Sequence, residues 1–340
     1  MENQYFSYVK DYIVTFTSIL WEAFPFIILG AIIAGILEEF VPQRLITRFL
    51  PRSRSLAIAL GGLLGLIFPM CECGIIPIMR RLIRKGLPLS CCIAYLLAGP
   101  IINVVVILST YVAFSNFKVA GQLQLTAAWM VGLRVGFGYI IAVTTALIVD
   151  RVYQKYGNAL LTPLASPGGK GAEVDRGEKK KPFIRRLENI SETALHDFID
   201  ITVYLCLGAL LAATVRLWLT HETIEVLSRN YAVLAILAMM AVAVLLCLCS
   251  EADAFVAASF TKMVPAAKVA FLVLGPMLDF KLYFMYTRVF RPRLIWTIIT
   301  AVVIQVFVWC LLLHWFLETH TELAKSWGMF IPSDTIASGN

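Results

Sequence analysis

Two short cysteine motifs carry the chemistry most open to this chain. Cys71, Glu72 and Cys73 stand at the end of an apolar run in "FPMCECGIIP", and Cys247 and Cys249 stand in "LLCLCSEAD", 176 residues further on. Thiolates suit soft and borderline ions such as Cu(I), Zn(II) and trivalent arsenicals. Glu72, Glu251 and Asp253 add hard oxygen ligands or proton acceptors. On a regular α-helix, residues two apart point about 200° away from each other, so a C-x-C pair grips one ion only on unwound backbone. Pro69, Gly74 and Pro77 are expected to unwind the first motif. At the second, Ser250 with Asp253 three residues on reads as the N-cap of a new helix. Cys71, Cys73, Cys247 and Cys249 are therefore candidate ligands of a transported, not a structural, metal. Cys91, Cys92, Cys206 and Cys310 read as packing residues.

A second constellation is the pair of Gly-Pro steps. Gly99–Pro100 lies within the apolar run 87–114, and Gly275–Pro276 lies within 264–286. Each is expected to break its helix and free carbonyls at mid-depth. Three residues beyond the prolines stand Asn103 and Asp279, polar groups that are costly in lipid unless partnered or hydrated. Arg134 lies in the middle of its run with no neighbour to explain it, and Asp279 and Glu72 are candidate partners. Lys281, two residues from Asp279, is expected off the face that Asp279 occupies. Glu22, Glu38 and Glu39 read as interfacial, and His196, His221, His314 and His320 show no i, i+4 pairing that would make a zinc site. The chain has no Walker A sequence, no GxSxG, no HExxH and no dinucleotide fingerprint, so neither an enzyme nor a cofactor is expected.

The elements that must hold these residues are membrane helices. The 340 residues are 59% hydrophobic and 15% charged, against about 45–50% and 25% in soluble domains, and the mean hydropathy is +0.80. Apolar runs lie near 23–37, 55–70, 87–114, 123–149, 198–215, 231–249, 264–286 and 294–317. A bilayer core of about 30 Å takes roughly 20 helical residues to cross, and several runs reach that length. They are continuous and do not alternate, which argues against a barrel. The expected fold class is all-α, a polytopic integral membrane protein. No cleavable signal peptide is expected from the polar start "MENQYFSYVKDY". The net charge of +7 does not point to nucleic acid. Twenty of the 29 Lys and Arg cluster at 44–54, 80–85, 151–186 and 288–293, the pattern of cytoplasmic loops.

Residues 151–190, rich in Gly, Pro and charge, read as a flexible cytoplasmic linker between a first membrane half, 1–150, and a second, 191–320, with a polar tail at 321–340. The halves are related. The C-x-C motifs, the Gly-Pro steps and the Asn103/Asp279 positions all recur at an offset of 176, and "FIILGAIIAG" at 26–35 resembles "YLCLGALLAA" at 204–213. If 44–54 and 80–85 are both cytoplasmic, the segment between them must leave and return on one side as a re-entrant hairpin. The halves are then inverted repeats, each of three spans and a broken hairpin. The competing arrangement is eight plain spans with parallel halves.

The stretches "CECGIIPIMRRLIRKGLPL" and "LLAGPIIN" resemble the bacterial permease family that includes ArsP-type organoarsenical exporters and related metal-efflux permeases, over about residues 15–315. Members share P-x-C-x-C-[GS] at the end of an early apolar run and a related second half after a hydrophilic loop. The resemblance implies proton-coupled export of a thiophilic species, with that role on Cys71 and Cys73. Glu72 stands where the arsenical exporters carry a small polar residue, and the basic stretch Arg80–Lys85 is a further departure. In these respects the chain resembles other permeases of the family more closely, some of which occur beside a second small membrane subunit.

The reading is a multi-pass secondary efflux permease of the cytoplasmic membrane, with Glu72, Glu251, Asp253 or Asp279 exchanging protons at a midplane site. Its partners are the lipid bilayer, a metal or metalloid species, protons, and a second small membrane subunit or another copy of the chain. Competing readings are a membrane thiol–disulfide oxidoreductase built on the C-x-C pairs and a membrane subunit that anchors a larger complex.

Overall fold

Long apolar sequence becomes helix in a membrane protein because lipid offers the backbone no hydrogen-bond partner. In the computed structural model the described residues are 2–40, 51, 53–116, 125–162, 183–216, 232–260 and 263–330. The arginines at 44, 48 and 52, His221, half of the linker (163–182) and the end of the tail (331–340) lie outside them.

The first half comprises α1 (Glu2–Phe40), α2 (Arg54–Gly62), α3 (Leu64–Ile67), α4 (Glu72–Arg84), α5 (Leu89–Ala98), α6 (Val104–Asn116) and α7 (Ala127–Tyr156). The second comprises α8 (Phe183–Arg216), α9 (Ala232–Leu246), α10 (Asp253–Ser259), α11 (Pro265–Leu274), α12 (Phe280–Val289) and α13 (Pro292–Thr319), with a short α14 (Thr321–Ser326) after it. Apolar stretches long enough to span a membrane lie in α1, α7, α8 and α13. Large apolar side chains such as Trp21, Ile304 and Trp315 face outward from these helices. The chain is an all-α, polytopic membrane protein.

Each half repeats one plan: a long helix, a hairpin of short helices, a helix interrupted at Gly-Pro, and a second long helix. The packing repeats with it. Helix α2 lies on α5 as α9 lies on α11, α5 on α7 as α11 on α13, and α6 on α10 as α12 on α4. Equivalent long helices meet antiparallel. At one end of the α1/α8 pair Tyr12 Oη donates to the Leu210 carbonyl over 3.5 Å, and at the other Gly35 lies against Ile190. Across α7 and α13, Gln305 Nε2 donates to Thr145 Oγ1 over 2.9 Å, while the Trp129 indole reaches the Trp327 carbonyl past the far end of α13. A symmetry that carries α1 onto an antiparallel α8 reverses the direction of every element, so the halves are inverted.

Glycine permits the closest of these contacts. A Cβ on Gly30 of α1 would come 2.5 Å from the Gly74 carbonyl oxygen of α4, and one on Gly208 of α8 would come 2.6 Å from Lys281 Cα of α12. Both long helices therefore lie directly on the backbone of the interrupted elements.

The basic clusters gather at one end. Arg54 pairs with Asp150 at 3.9 Å, Arg81 with Asp197 at 2.9 Å and Arg288 with Asp200 at 2.9 Å, while Arg293 lies 5.4 Å over the Tyr156 ring. Arg80 pairs with both Asp197 and Asp200, closing a network across α4, α8 and α12. Helices α2 and α3 thus leave this end and α4 returns to it, which is a re-entrant hairpin and not two plain spans.

Some element bounds differ from those expected. Helix α7 continues to Tyr156, a 3-10 turn follows at Gly157–Leu160, and Leu161 bridges to Phe290, so the linker's first dozen residues are structured. Helix α8 begins before the linker's expected end, at Phe183. The tail is also ordered at its start. Thr126 N donates to the Met329 carbonyl over 2.8 Å, and Ala324, Met329 and Phe330 are buried. Apolar residues interspersed along 323–330 dock that segment on the start of α7.

Candidate transport site

Both Gly-Pro steps break their helices, and they do so with the same hydrogen bonds. After α5, Ile101 N and Ile102 N donate to the Ala98 carbonyl over 3.0 and 2.9 Å; after α11, Met277 N and Leu278 N donate to the Leu274 carbonyl over 3.0 and 2.9 Å. The polar residue beyond each proline then opens the next helix. Asn103 Oδ1 accepts from Val105 N at 2.9 Å, and Asp279 Oδ1 accepts from Leu282 N at 2.7 Å. This is N-capping, which satisfies amide donors that lipid cannot. It explains why a polar residue stands three positions past each proline.

The C-x-C motifs diverge more. Helix α4 begins at Glu72, directly after Cys71, so the irregular backbone lies upstream around Pro69. Gly74 and Pro77 lie inside α4 and do not break it, contrary to expectation. Gly74 serves close packing, since a Cβ there would come 2.9 Å from the Phe26 carbonyl oxygen. Pro77 costs α4 one amide donor near its start, which the helix tolerates. In the second half α9 ends at Leu246 and the chain unwinds through 247–249. Cys247 adopts φ 48°, the left-handed conformation that no other described non-glycine residue takes and that costs about 1–3 kcal/mol. Helix α10 starts only at Asp253 and has no side-chain cap. Ser250 is therefore not its N-cap: the Ser250 hydroxyl is buried without a hydrogen bond, and its carbonyl is taken by Arg134.

These breaks bring charged residues of both halves to the centre. Lys281, 1% exposed, stands 2.7 Å from Glu72 Oε1 and 3.4 Å from Asp279 Oδ2. Its ammonium also donates to the Leu248 and Cys247 carbonyls at 3.1 and 3.3 Å and lies 3.9 Å from Cys249 Sγ. Lys281 and Asp279 meet because Asp279 precedes α12 as its cap, so the helical spacing that would separate them does not apply. Arg134 of α7 pairs with Asp253 at 2.8 Å and donates to the Ser250 carbonyl at 2.8 Å and to Thr110 Oγ1 at 2.6 Å. Its partner is Asp253 and not Asp279 or Glu72, which Lys281 already holds. Buried charges persist only when paired in this way.

The thiols take different places. Cys71 lies against Cys73, and Cys249 lies among Lys281, Glu72, Glu22 and Cys73. Cys247 turns its thiol back to the Val244 carbonyl, 3.4 Å away, and offers the centre its own carbonyl instead. All eight cysteines are free thiols. Among the described residues no three His, Cys, Asp or Glu side chains form a group that could hold a metal ion as they stand. Glu22 departs from its expected interfacial position: it is half-buried and reaches Cys249. The available signal was its place on α1, two helical turns before Gly30, the residue pressed onto α4. Glu251 is half-buried near Glu72 and Arg134.

Polar atoms without hydrogen bonds concentrate here. Glu72 Oε2, Ser250 Oγ, Glu251 Oε1 and Asp253 Oδ1 are all buried and unbonded. Folded proteins leave few such atoms, and a group of them in one place calls for water or a ligand.

Residues 9–315 match the family ArsP_1, described as predicted permease, and the match runs from α1 nearly to the end of α13. The chain belongs to this permease family. Like it, UPF0718 protein YcgR of Bacillus subtilis (strain 168) is similar to the chain, with 38% identity over 87% of this chain and 95% of that protein. A protein of Streptococcus mutans serotype c, provisionally named a two-component membrane permease complex subunit, is 30% identical over 90% of this chain and 96% of its own length. No solved structure matches the chain significantly. In many transporter folds, substrate sites are formed by such discontinuous helices.

Proposed function

We propose that this permease is a proton-coupled secondary exporter of a thiophilic metal ion or metalloid species. It lies in the cytoplasmic membrane with its basic end and the linker inside. One observation carries the reading: Glu72 of the first half and Cys249 and Asp279 of the second surround a single buried point beside the helix breaks. Soft sulfur and hard carboxylate together favour borderline and soft cations. Cys71, Cys73 and Cys249 bind the cargo, Cys247 contributes through its carbonyl, and Glu72, Glu251, Asp253 and Asp279 exchange protons with it. Asn103 and Asp279 hold open the broken helices that line its path.

The test is uptake by proteoliposomes of the purified chain, against a panel of Cu(I), Zn(II), Cd(II) and arsenicals at two pH values. Transport that depends on the pH gradient and falls on Cys73→Ser supports the reading. Full transport with Cys71, Cys73, Cys247 and Cys249 all changed to serine would sink it.

A second reading has one observation in its favour, the name of the Streptococcus mutans relative. In it the chain works with a second membrane subunit. Proteoliposomes that transport only when a co-purified membrane protein is retained would favour it, and transport by the chain alone would exclude it.

A further inference from the structure

The ammonium of Lys281 sits where a transported cation would sit. Five acceptors from three separate segments surround it: Glu72 Oε1 at 2.7 Å, Leu248 O at 3.1 Å, Cys247 O at 3.3 Å, Asp279 Oδ2 at 3.4 Å and Cys249 Sγ at 3.9 Å. An ammonium has three protons to donate, so the shell holds more acceptors than its occupant can satisfy. Glu72 Oε2, buried beside it, has no hydrogen bond at all. The charge is mismatched in the same direction, because two carboxylates face one cation. A stabilising ion pair needs one carboxylate and leaves no surplus.

We propose that Lys281 is a tethered resident cation, and that a borderline or soft divalent cargo binds by displacing its ammonium from this shell. The inference rests on the permease reading above and names the residue that guards its site. A divalent ion matches the two carboxylates in charge, and Cys249 supplies the soft ligand that discriminates against magnesium and calcium. The displaced ammonium has somewhere to go. Glu22 and Glu251, both half-buried, stand close enough to feel the charge of Lys281, and the lysine stem is long and flexible. The shell is spread around the ammonium and not closed on a metal, which is why no metal-holding group of side chains stands ready among the described residues.

The experiment is Cd2+ binding to the purified full-length chain in nanodiscs, measured calorimetrically for wild type, Lys281→Met and Lys281→Arg. Displacement costs the wild type affinity, so Lys281→Met tightens Cd2+ binding by about tenfold or more. Lys281→Arg, which keeps a permanent cation, does not, and Cys249→Ser added to Lys281→Met cancels the gain. Amine labelling of the wild type read by mass spectrometry gives a second measure: Lys281 is protected without Cd2+ and labelled with it. The labelling decides the matter even if a variant fails to fold. Lys281→Met binding no tighter than wild type, or labelling of Lys281 indifferent to Cd2+, overturns the proposal. Absence of transport by the purified chain with Cd2+-dependent labelling intact would count against the proposed export by this chain alone and leave the displacement standing.

Discussion

Arg134 of α7 and Asp253 of α10 lie 2.8 Å apart with both side chains buried, and together they pin the first half of the chain to the second. Removing one partner of such a pair strands the other in a medium that cannot solvate it, at a cost of about 3–5 kcal/mol. Arg134→Leu should therefore lower the detergent unfolding midpoint sharply. Arg134→Leu with Asp253→Leu should recover much of the loss. Unfolding followed by tryptophan fluorescence reads both, and a double variant no better than the single would show that the pair is not what matters.

Asn103 and Asp279 share one task and differ in a second. Both cap the helix that follows a Gly-Pro step, and loss of a cap costs about 1 kcal/mol. Only Asp279 also faces Lys281. Asn103→Ala should thus destabilise by about that amount, and Asp279→Ala by clearly more. Equal effects in the same unfolding assay would separate Asp279 from the charge network.

Gly30 of α1 should respond to alanine with the opposite sign to Gly132 and Gly136 of α7. A Cβ on Gly30 would stand 2.5 Å from the Gly74 carbonyl oxygen, whereas one on Gly132 or Gly136 would meet nothing within 4 Å. Gly30→Ala should force α1 off α4 and cost about 1–3 kcal/mol. Gly132→Ala and Gly136→Ala should gain up to about 1 kcal/mol through helix propensity. Thermal unfolding of the three variants is the check.

Asp197 is fully buried and takes both Arg80 and Arg81 of α4. Asp197→Asn removes the charge that Arg80 and Arg81 share and leaves Arg80 with Asp200, which Arg288 already holds. The basic end should loosen, and Cys73 should react faster with a membrane-impermeant maleimide in that variant than in wild type. An unchanged labelling rate would mean that this network does not keep the end shut.

The fold was largely legible because its signals are local or periodic: apolar run length, basic clusters and motifs repeating at 176 residues. Even the hydrogen bonds at the two Gly-Pro steps repeat at that offset. Several residues that meet at the centre stand out in the sequence, but their pairing does not. Offsets relate Asn103 to Asp279, yet Lys281 meets Glu72 and Arg134 meets Asp253, residues joined only when the halves interlock. Helical spacing sets Lys281 apart from Asp279, but that spacing fails when the neighbour is a cap outside the helix. Ser250 looked like a cap by spacing, but the Arg134 side chain claims its carbonyl and the helix starts later. Glu22 required knowing that α1 lies directly on α4.

The internal symmetry is imperfect at its centre. An offset of 176 carries Glu72 onto Leu248 and Lys281 onto Val105. Glu72 and Lys281 form a buried ion pair, while Val105, the counterpart of Lys281, is 52% exposed. Were the halves interchangeable, exchanging their conformations would turn the protein inside out at no cost, and both orientations would be equally populated. With charge on one side of the axis and hydrocarbon on the other, the two orientations differ in free energy, and the molecule has a preferred side on which to rest.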